Sequence, residues 1–160
     1  MASTITAATA TITIKAEISL AGQDKGFSHS YTIASVTEVL NRIMAVPTSQ
    51  EVAVMTFTAT NPGTIAIPGF NEADVRFILL TNLDDTNFIQ LILTNEDSDE
   101  MGVKLESGHS FLVPVSAEGV VDVMDAAAAG AVSPSFGDLT TITALANTGE
   151  CDLQVVALGV

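Results

Sequence analysis

The chain contains little that would support catalysis, metal binding or nucleic-acid binding. Its 160 residues include no Trp, one Cys and two His, and five cations oppose 19 Asp and Glu, for a net charge of −14. The cations are scattered, whereas binding to nucleic acid or to an anionic membrane requires clustered Lys and Arg. A single cysteine excludes an intrachain disulfide and a multi-cysteine zinc site. Nucleic-acid and membrane partners are therefore not expected.

Segments directed at membranes are not expected either. No cation precedes Lys15, which disfavours a secretory signal. The longest uncharged stretch, residues 52–71, is interrupted by Thr, Asn, Gly and Pro. A membrane-spanning helix needs about 20 predominantly apolar residues, so this stretch is not predicted to span a membrane.

Alternation of apolar and polar residues dominates the first part of the chain. In residues 10–20 every second residue is apolar, and polar residues occupy the positions between them. A period of two is the spacing of a β-strand, whereas a helix places its apolar residues three and four apart. Residues 21–26 have the composition of a turn, and the alternation resumes over residues 27–34. We therefore predict a β-hairpin.

Residues 36–46 fit two structures. As a helix, the segment shows apolar spacings of three and four, and Ser35 with Glu38 would form a capping box at its start. As a strand, it presents one face made of four side chains: Leu40, Arg42, Met44 and Val46. We predict the strand, because a short isolated helix would still need a surface to cover.

Short strands separated by turn residues continue along the rest of the chain. They are predicted at residues 51–60, 64–67, 74–83, 86–95, 103–105, 111–115, 139–146 and 151–158. Residues 117–138 are predicted to be irregular, apart from a short strand or helical turn at residues 120–124. Near-regular spacing of short strands is typical of a sandwich or barrel. We predict an all-β antiparallel β-sandwich, a single domain over residues 1–160 with residues 1–9 as a loose N-terminal arm.

Residues 74–83 and 86–95 are apolar on both faces and are predicted to form a hairpin with Asp84 and Asp85 at its tip. Such strands lie at the centre of a sheet or have one face against another subunit. A monomer of this size would have difficulty burying these faces and those of residues 153–158. We therefore predict a homo-oligomer. Because copies with a charge of −14 repel one another, its contact should be mainly hydrophobic.

Few side chains are candidates for a chemical role. His29 lies within a predicted strand, where a packed and hydrogen-bonded imidazole is expected. His109 follows Gly108 in a turn, without the Gly-x-Ser-x-Gly elbow or a Gly-rich oxyanion segment. Cys151 begins a predicted strand, where a small buried hydrophobic residue is expected. We predict no catalytic residue and no cofactor site, and therefore no enzyme.

Two clusters of acidic residues are candidates for a chemical role. Residues 96–100 could bind calcium through their carboxylates, but they lack the spaced aspartates of a helix–loop–helix site. A solvated loop tip is the preferred interpretation, and no metal site is predicted. Asp84 and Asp85 suit a turn. Glycoside hydrolysis would need paired carboxylates at a defined separation across a cleft, which the sequence does not locate.

Three motifs carry a resemblance to a known group of proteins. Residues 75–91 contain a strand ending in Thr81-Asn82, a tight turn, and Asn87 followed by an aromatic residue that opens the next strand. Residues 104–111 contain the step Leu-x-x-Gly-x-Ser-Phe, and residues 41–48 also match. This pattern resembles small virion proteins of tailed phages, notably those of marine and cyanobacterial hosts. The resemblance covers about residues 42–115 and the final strand pair.

The resemblance implies a fold and a role. The fold would be a jelly-roll-like β-sandwich, often a homotrimer, that decorates or cements the capsid or sits elsewhere on the particle. In the shared turn, Asn82 and Asn87 can satisfy backbone groups, and Gly108 can supply a positive φ. The chain departs from the pattern in its Ala-rich residues 126–131 and its unusually acidic surface. These departures leave the position on the particle open.

The expected function is that of a capsid decoration or cement protein in the virion, assembled in the host cytoplasm. It would bridge subunits of the major capsid protein and associate with copies of itself, with a trimer as the expected oligomer. Two alternatives stay open: a tail- or neck-associated virion protein, and a surface glycan-binding module. A hydrolase that uses His109 is the least favoured reading.

Overall fold

The computed structural model describes residues 6–58, 69–113, 115, 122–124 and 136–160. Regular structure in these residues is entirely β-strand, so the all-β prediction is confirmed. None of these residues belongs to a helix with the length and apolar character of a membrane span. The chain divides into two compact units: a first that ends at Glu38 and also takes in Val160, and a second formed by Val39–Gly159.

The first unit is a long antiparallel hairpin, which we call the ribbon. It consists of β1 (Ala8–Ala16), β2 (Ser19–Leu20), β3 (Gln23–Asp24) and β4 (Phe27–Val36). β1 pairs with β4 in a register that sets Ala10 opposite Ile33 and Ala16 opposite Phe27. β2 pairs with β3 and extends the hairpin to its turn. The hairpin predicted from the alternating pattern is therefore confirmed.

A two-residue turn closes the ribbon. Leu20 lies opposite Gln23, so Ala21 and Gly22 alone connect the two strands, and their φ angles are 51° and 78°. Two positive φ angles define a type I′ turn, whose twist matches that of antiparallel strands. Glycine adopts this conformation freely, whereas a side chain at Cβ disfavours it. Ala21 is therefore the strained residue of the turn.

Replacing Ala21 by asparagine is expected to stabilise the turn by about 1 kcal/mol, because Asn-Gly is a preferred type I′ pair. The Lys25 N–H donates to the Ile18 carbonyl across the turn at 2.8 Å, so its hydrogen exchange should slow about fivefold. Ala45→Asn, on an exposed position of a later strand, is the control and should leave this amide unchanged. Equal exchange rates in the wild type and Ala21→Asn would contradict the prediction.

Just before β4, the backbone at Gly26 lies very close to the backbone at Ala16. A Cβ atom on Gly26 would lie 2.6 Å from the Ala16 carbonyl oxygen, which is backbone and cannot move aside cheaply. The Gly26 N–H also donates to Asp24 Oδ1 at 2.8 Å. Glycine is therefore required where the two long strands of the ribbon come together.

A β-bulge marks the other end of the ribbon. Ala8 lies opposite Val36 and Ala10 opposite Ile33, so β4 has one residue more than β1 over this stretch. Ser35 in the bulge has a φ of 60°, the left-handed conformation that some bulges require. Ser35 therefore does not cap a helix. The segment that follows is β5 (Glu38–Val46), which confirms the strand interpretation.

The second unit consists of two sheets packed face to face. After β5, its strands are β6 (Val52–Thr58), β7 (Gly69–Asn71), β8 (Val75–Asn82), β9 (Ile89–Asn95), β10 (Glu100–Leu105), β11 (Ser110–Val113), β12 (Asp122–Met124), β13 (Phe136–Ala146) and β14 (Cys151–Gly159). One sheet has the order β11-β8-β14-β5. The other has the order β10-β9-β13-β6-β7, with β12 beside β13. The described residues therefore form a β-sandwich.

The hairpin predicted from residues 74–83 and 86–95 is wrong. β8 pairs with β11 and β14, and β9 pairs with β10 and β13, so the two strands lie in different sheets. The loop between them passes from one layer of the sandwich to the other. Each strand lies inside its sheet, as expected for a strand with two apolar faces. The physical reason for the error is that β8 bonds to β11 and β14, which lie farther along the chain, while β9 forms a hairpin with the following strand, β10.

The core lies between the two sheets. Fully buried side chains from one sheet, such as Leu80 and Val155, join others from the second sheet, such as Leu91 and Ile142, in one cluster. Cys151 belongs to this cluster, and its burial raises the pKa of the thiol, with a smaller contribution from the negative charges of Asp84 and Asp152. The prediction of a small buried hydrophobic residue at this position is confirmed.

The structure also adds elements that the sequence pattern missed. β7 begins at Gly69, in a Pro-Gly pair that reads as a turn, and pairs in parallel with β6. β12 falls within residues 120–124, where a short strand or helical turn was expected. The predicted edge strand at residues 64–67 and the Ala-rich residues 126–131 lie outside the described residues. The same holds for residues 1–5 of the predicted arm, whereas Ala8 and Thr9 are part of β1.

Candidate interaction surface

The ribbon has one apolar and one polar face. On the first face, cross-strand pairs join Ile12 to Tyr31 and Ile14 to His29. On the second, Thr13 faces Ser30, and their hydroxyl groups form a hydrogen bond of 2.8 Å. Alternation along a strand places successive side chains on opposite faces, so the sequence pattern alone separates these two surfaces.

The apolar face is poorly covered towards the turn of the ribbon. Exposed fractions there are 40% for Ile14 and 57% for Phe27, and 46% for Ile18 and 66% for Leu20 nearer the turn. Towards the other end of the ribbon, Ile33 and Val36 are buried. Large apolar side chains that cluster in water are typical of an interaction site. This end of the ribbon is therefore the candidate interaction surface.

The ribbon also differs from the sandwich in charge. Residues 1–37 contain two lysines, Lys15 and Lys25, and two acids, Glu17 and Asp24, which cancel. The whole net charge of −14 therefore belongs to residues 38–160. Lys15 and Glu17 form an ion pair with both side chains well exposed, so its contribution to stability is small.

An open depression of about 720 Å³ lies at the turn of the ribbon. Its lining includes Lys15, Glu17, Asp24 and the exposed ring of Phe27. The volume falls within the range of small-molecule sites, but such sites are usually enclosed and mostly apolar. The depression is wide and mixed in charge, and no side chain in it is buried. It offers a shallow contact surface rather than an enclosed binding site.

A second group of exposed apolar residues lies on the sandwich. On the outer face of β5, Val39 is 67% exposed and Ile43 is 60% exposed. Asn41, between them, accepts a hydrogen bond from Gln154 Nε2 at 3.2 Å, which ties β5 to β14. These residues belong to the acidic unit, so a second copy meeting them would meet like charge.

Strands expected to form a subunit contact are instead mostly covered within the chain. Leu80, Leu91 and Leu153 point into the core, and even Phe77 and Leu158, on the opposite face of their sheet, are buried. The difficulty expected for a monomer in burying both faces of these strands is therefore not seen at Phe77 and Leu158. Burial depends on which other segments cover a strand, and this information is not local in sequence.

Asn82 organises the loop that crosses between the two sheets. Its side chain is fully buried, its Nδ2 donates to the carbonyls of Asn87 and Leu105 at 2.8 and 3.2 Å, and its Oδ1 accepts from the Asp84 N–H at 3.1 Å. Its backbone N–H donates to the His109 carbonyl, and its carbonyl accepts from the Gly108 N–H. Gly108 has a φ of 69°. The roles expected for Asn82 and Gly108 are therefore both seen.

Asp84 caps the same loop through its carboxylate. Asp84 Oδ1 accepts hydrogen bonds from the backbone N–H groups of Asn87 and Thr86, the latter at 2.8 Å. These bonds, with that from Asn87 the larger effect, lower the pKa of Asp84 below its usual value. Asp84 is half-buried, and its carboxylate acts as a local turn-stabilising group.

A pH dependence follows from this lowered pKa. Because the folded-state pKa lies below the unfolded one, the stabilisation is fully present above about pH 4 and is lost as pH falls through the folded pKa. The stability difference between the wild type and Asp84→Asn should therefore be constant from about pH 5 to 7 and shrink below about pH 4. Asp85→Asn is the control, since Asp85 accepts no backbone bond in the described loop. A pH-independent difference would contradict the assignment, as would an ordinary pKa for Asp84 by NMR titration.

The two histidines have separate surroundings. His29 is exposed on the apolar face of the ribbon, with its ring 6.3 Å from that of Tyr31, so the expected packed position is wrong. His109 is exposed in a turn, and its Nδ1 lies 2.8 Å from the Ser107 carbonyl oxygen. The hydroxyl of the neighbouring Ser110 instead bonds to that of Thr81. The structure therefore does not join His109 and Ser110 as a base and a nucleophile.

Of the acidic cluster at residues 96–100, residues 96–99 form the hairpin loop between β9 and β10, and Glu100 begins β10. Asn95 Oδ1 accepts from the Asp99 N–H at 2.7 Å, and Ser98 adopts a φ of 67°. Within the described part of the chain, no three His, Cys, Asp or Glu side chains come together in a way that could hold a metal ion. The loop is therefore shaped by its backbone hydrogen bonds.

Comparisons with known proteins identify no relative of this chain. No protein-family model, no curated protein and no solved structure matches the chain.

Proposed function

We propose that this chain is a structural protein of a phage virion, a capsid decoration or cement protein that stabilises the head by bridging major capsid subunits. It would act as a homo-oligomer, with a trimer as the expected form. The observation that carries the proposal is the strand order of the sandwich, to which the turn motifs around Asn82 add support. The role requires contact surfaces and no catalysis.

The strand order supports a jelly roll. With the short additions β7 and β12 left aside, eight strands of the second unit remain. In chain order these eight are β5, β6, β8, β9, β10, β11, β13 and β14. In one sheet the first (β5) lies beside the eighth (β14), the eighth beside the third (β8), and the third beside the sixth (β11). In the other sheet the second (β6) lies beside the seventh (β13), the seventh beside the fourth (β9), and the fourth beside the fifth (β10). A jelly roll is an eight-stranded double sheet with two Greek keys, and it recurs in viral capsid domains.

The turn motifs add a second line of support. The segment that resembles small phage virion proteins includes the crossing loop between β8 and β9, which Asn82 holds by buried hydrogen bonds. The Leu-x-x-Gly-x-Ser-Phe step supplies Leu105, whose carbonyl Asn82 binds, and Gly108, whose N–H donates to the Asn82 carbonyl. Two of the motifs that carry the resemblance therefore meet at one place in the fold.

A glycan-binding module is the second candidate, since jelly rolls also occur in lectins. The observation in its favour is the exposed Phe27 ring beside the carboxylates of Glu17 and Asp24 in the open depression. Against it, Phe57, Phe70 and Phe77 are buried, and the chain has no Trp. A fold shared with lectins carries no function by itself.

The test is the number of copies on purified particles that contain this chain. Quantitative mass spectrometry against the major capsid protein should give a copy number in fixed proportion to the capsid lattice. Particles stripped of the chain should lose heads when heated or diluted into low salt, and purified chain added back should restore them. Heads incubated with an unrelated acidic protein serve as the control.

Other outcomes would overturn the proposal. One or two rings of copies per particle would place the chain at the tail or neck. Absence from the particle would reject a virion role. Binding to a glycan array that is lost in Phe27→Ala, together with absence from the head lattice, would favour the glycan-binding module.

A further inference from the structure

We propose that copies of this chain associate through the apolar face of the ribbon, around Ile14 and Phe27, and that the acidic sandwich takes no part in this contact. The partner is a second copy of the same ribbon. The inference rests on the self-association included in the proposed function and assigns that contact to a surface. Charge, apolar exposure and strand pairing support it independently.

The charge distribution favours contact at the ribbon. Two sandwiches, each with 16 acids against three cations and so a net charge of −13, repel one another. In the ribbon the charges of residues 1–37 cancel, and Glu38 at its end brings the net charge of that unit to −1. Within β1 and β4 the only charged residue is Lys15, which lies on the polar face beside Glu17. Self-association therefore costs least in electrostatic terms where the ribbons meet.

The exposed apolar area has the right size for part of such a contact. The exposed portions of Ile14, Ile18, Leu20 and Phe27 amount to roughly 400 Å² per copy, about half of the roughly 800 Å² that each partner contributes to a standard interface. These residues lie together at one end of the ribbon. An identical surface on a second copy would cover them, as in other symmetric contacts.

Strand pairing gives a further reason. β1 and β4 form a two-stranded sheet, so among the described residues each has one side without a strand partner. A two-stranded hairpin is marginally stable in water, and three or more strands or a packed face are needed for independent stability. β1 alternates Thr and Ile, the residues that favour strands, and contains no Pro. A second ribbon would supply both a packed face and a neighbouring edge.

The first experiment compares two matched double variants. Ile14→Thr/Phe27→Thr makes the apolar face polar while placing threonine, a residue that favours strands, at each position. Val39→Thr/Ile43→Thr makes the same kind of change on β5, where the side chains are more exposed. Light scattering after size exclusion should give an oligomer for the wild type and for the β5 variant. The ribbon variant should dissociate, with a rise of about tenfold or more in the dissociation constant.

The second experiment does not depend on how the ribbon tolerates those changes. His29→Cys places a thiol on the apolar face, and Ser28→Cys places one on the adjacent, polar face. Cys151 is buried, so the introduced thiol is the reactive one. A short bismaleimide should cross-link the His29→Cys protein between copies and leave Ser28→Cys mainly unlinked. Hydrogen exchange of β1 and β4 amides reports whether the ribbon stays folded.

Salt gives a measurement on the unmodified chain. Because the sandwiches repel and the contact is apolar, association should tighten as NaCl rises from about 0.05 to 0.5 M. Dissociation by salt would overturn the inference, because it would indicate a contact made of ion pairs. A wild-type monomer at all concentrations would also overturn it, as would loss of the oligomer in the β5 variant alone or equal cross-linking at both cysteines.

The outcomes separate this inference from the proposed function. A chain absent from the virion that still associates through its ribbon would reject the virion role and support the contact. A chain that occupies the head lattice but is monomeric in solution would support the virion role and reject the contact.

Discussion

Replacing Leu80 by alanine is expected to lower the free energy of unfolding by about 3 kcal/mol, the usual cost of a buried Leu→Ala change with its residual cavity. Leu80 is fully buried, lies opposite the equally buried Val155 on β14, and belongs to the core cluster. Its neighbour Leu79 points to the opposite face and is only half-buried. Leu79→Ala should therefore cost less than about 1 kcal/mol.

Urea unfolding of the two variants measures the difference, and unchanged m-values would show that the midpoints report stability. The pair is informative because both residues are leucines in one strand and the sequence does not distinguish them. Equal losses would mean that both faces of β8 are covered to the same extent. A larger loss of stability for Leu79→Ala would mean that Leu79, and not Leu80, points into the core.

Replacing Asn82 by alanine is expected to cost about 3 kcal/mol as well, through a different mechanism. The change removes three hydrogen bonds and leaves the Leu105 carbonyl without its side-chain donor in a buried place. An unsatisfied buried polar group costs about 1–3 kcal/mol, in addition to the cavity that the lost side chain leaves. The crossing loop and the turn at Gly108 should both lose protection from hydrogen exchange.

Asn82→Asp separates the hydrogen bonds from side-chain volume. It keeps the shape but places a carboxylate oxygen where Nδ2 donates to two carbonyls, so at pH 7 it should destabilise at least as much as Asn82→Ala. The control is Asn147→Ala, because Asn147 is exposed and its side chain accepts one bond, from the Phe88 N–H. That change should cost about 1 kcal/mol or less. A mild effect of Asn82→Asp would show that shape rather than hydrogen bonding holds the loop.

The ribbon shows how much the sequence determines. Alternation over residues 10–20 and 27–34, with turn residues between them, predicts the strands, their pairing and the two faces, because all of this information is local. The exposure of the apolar side chains to solvent could not be predicted in the same way. The pattern cannot show whether the apolar face of Ile14 and Phe27 is covered, and the structure leaves much of it open.

The sandwich shows where local reasoning ends. Strands were predicted at residues 74–83 and 86–95, where β8 and β9 lie, but their pairing was wrong. β8 bonds to β11 and β14, and β9 bonds to the adjacent β10 and to the distant β13. The sequence also assigned a subunit contact to faces of residues 74–83 and 153–158, yet the chain itself buries Phe77 and Leu158 there. The role of Asn82 could be predicted in part, because a turn between two strands favours Asn. Its bond to Leu105 could not.

The separation of charge between the two units implies that they evolve under different constraints. In the sandwich, whose many acids already repel, gain or loss of one carboxylate changes little, and the number of acids is free to drift between relatives. In residues 1–37, where Lys15 and Lys25 cancel Glu17 and Asp24, a single new carboxylate would charge every copy at the surface proposed for self-association. Relatives of this chain should therefore keep a net charge near zero in residues 1–37, even where the acidic residues of the sandwich differ in number and position.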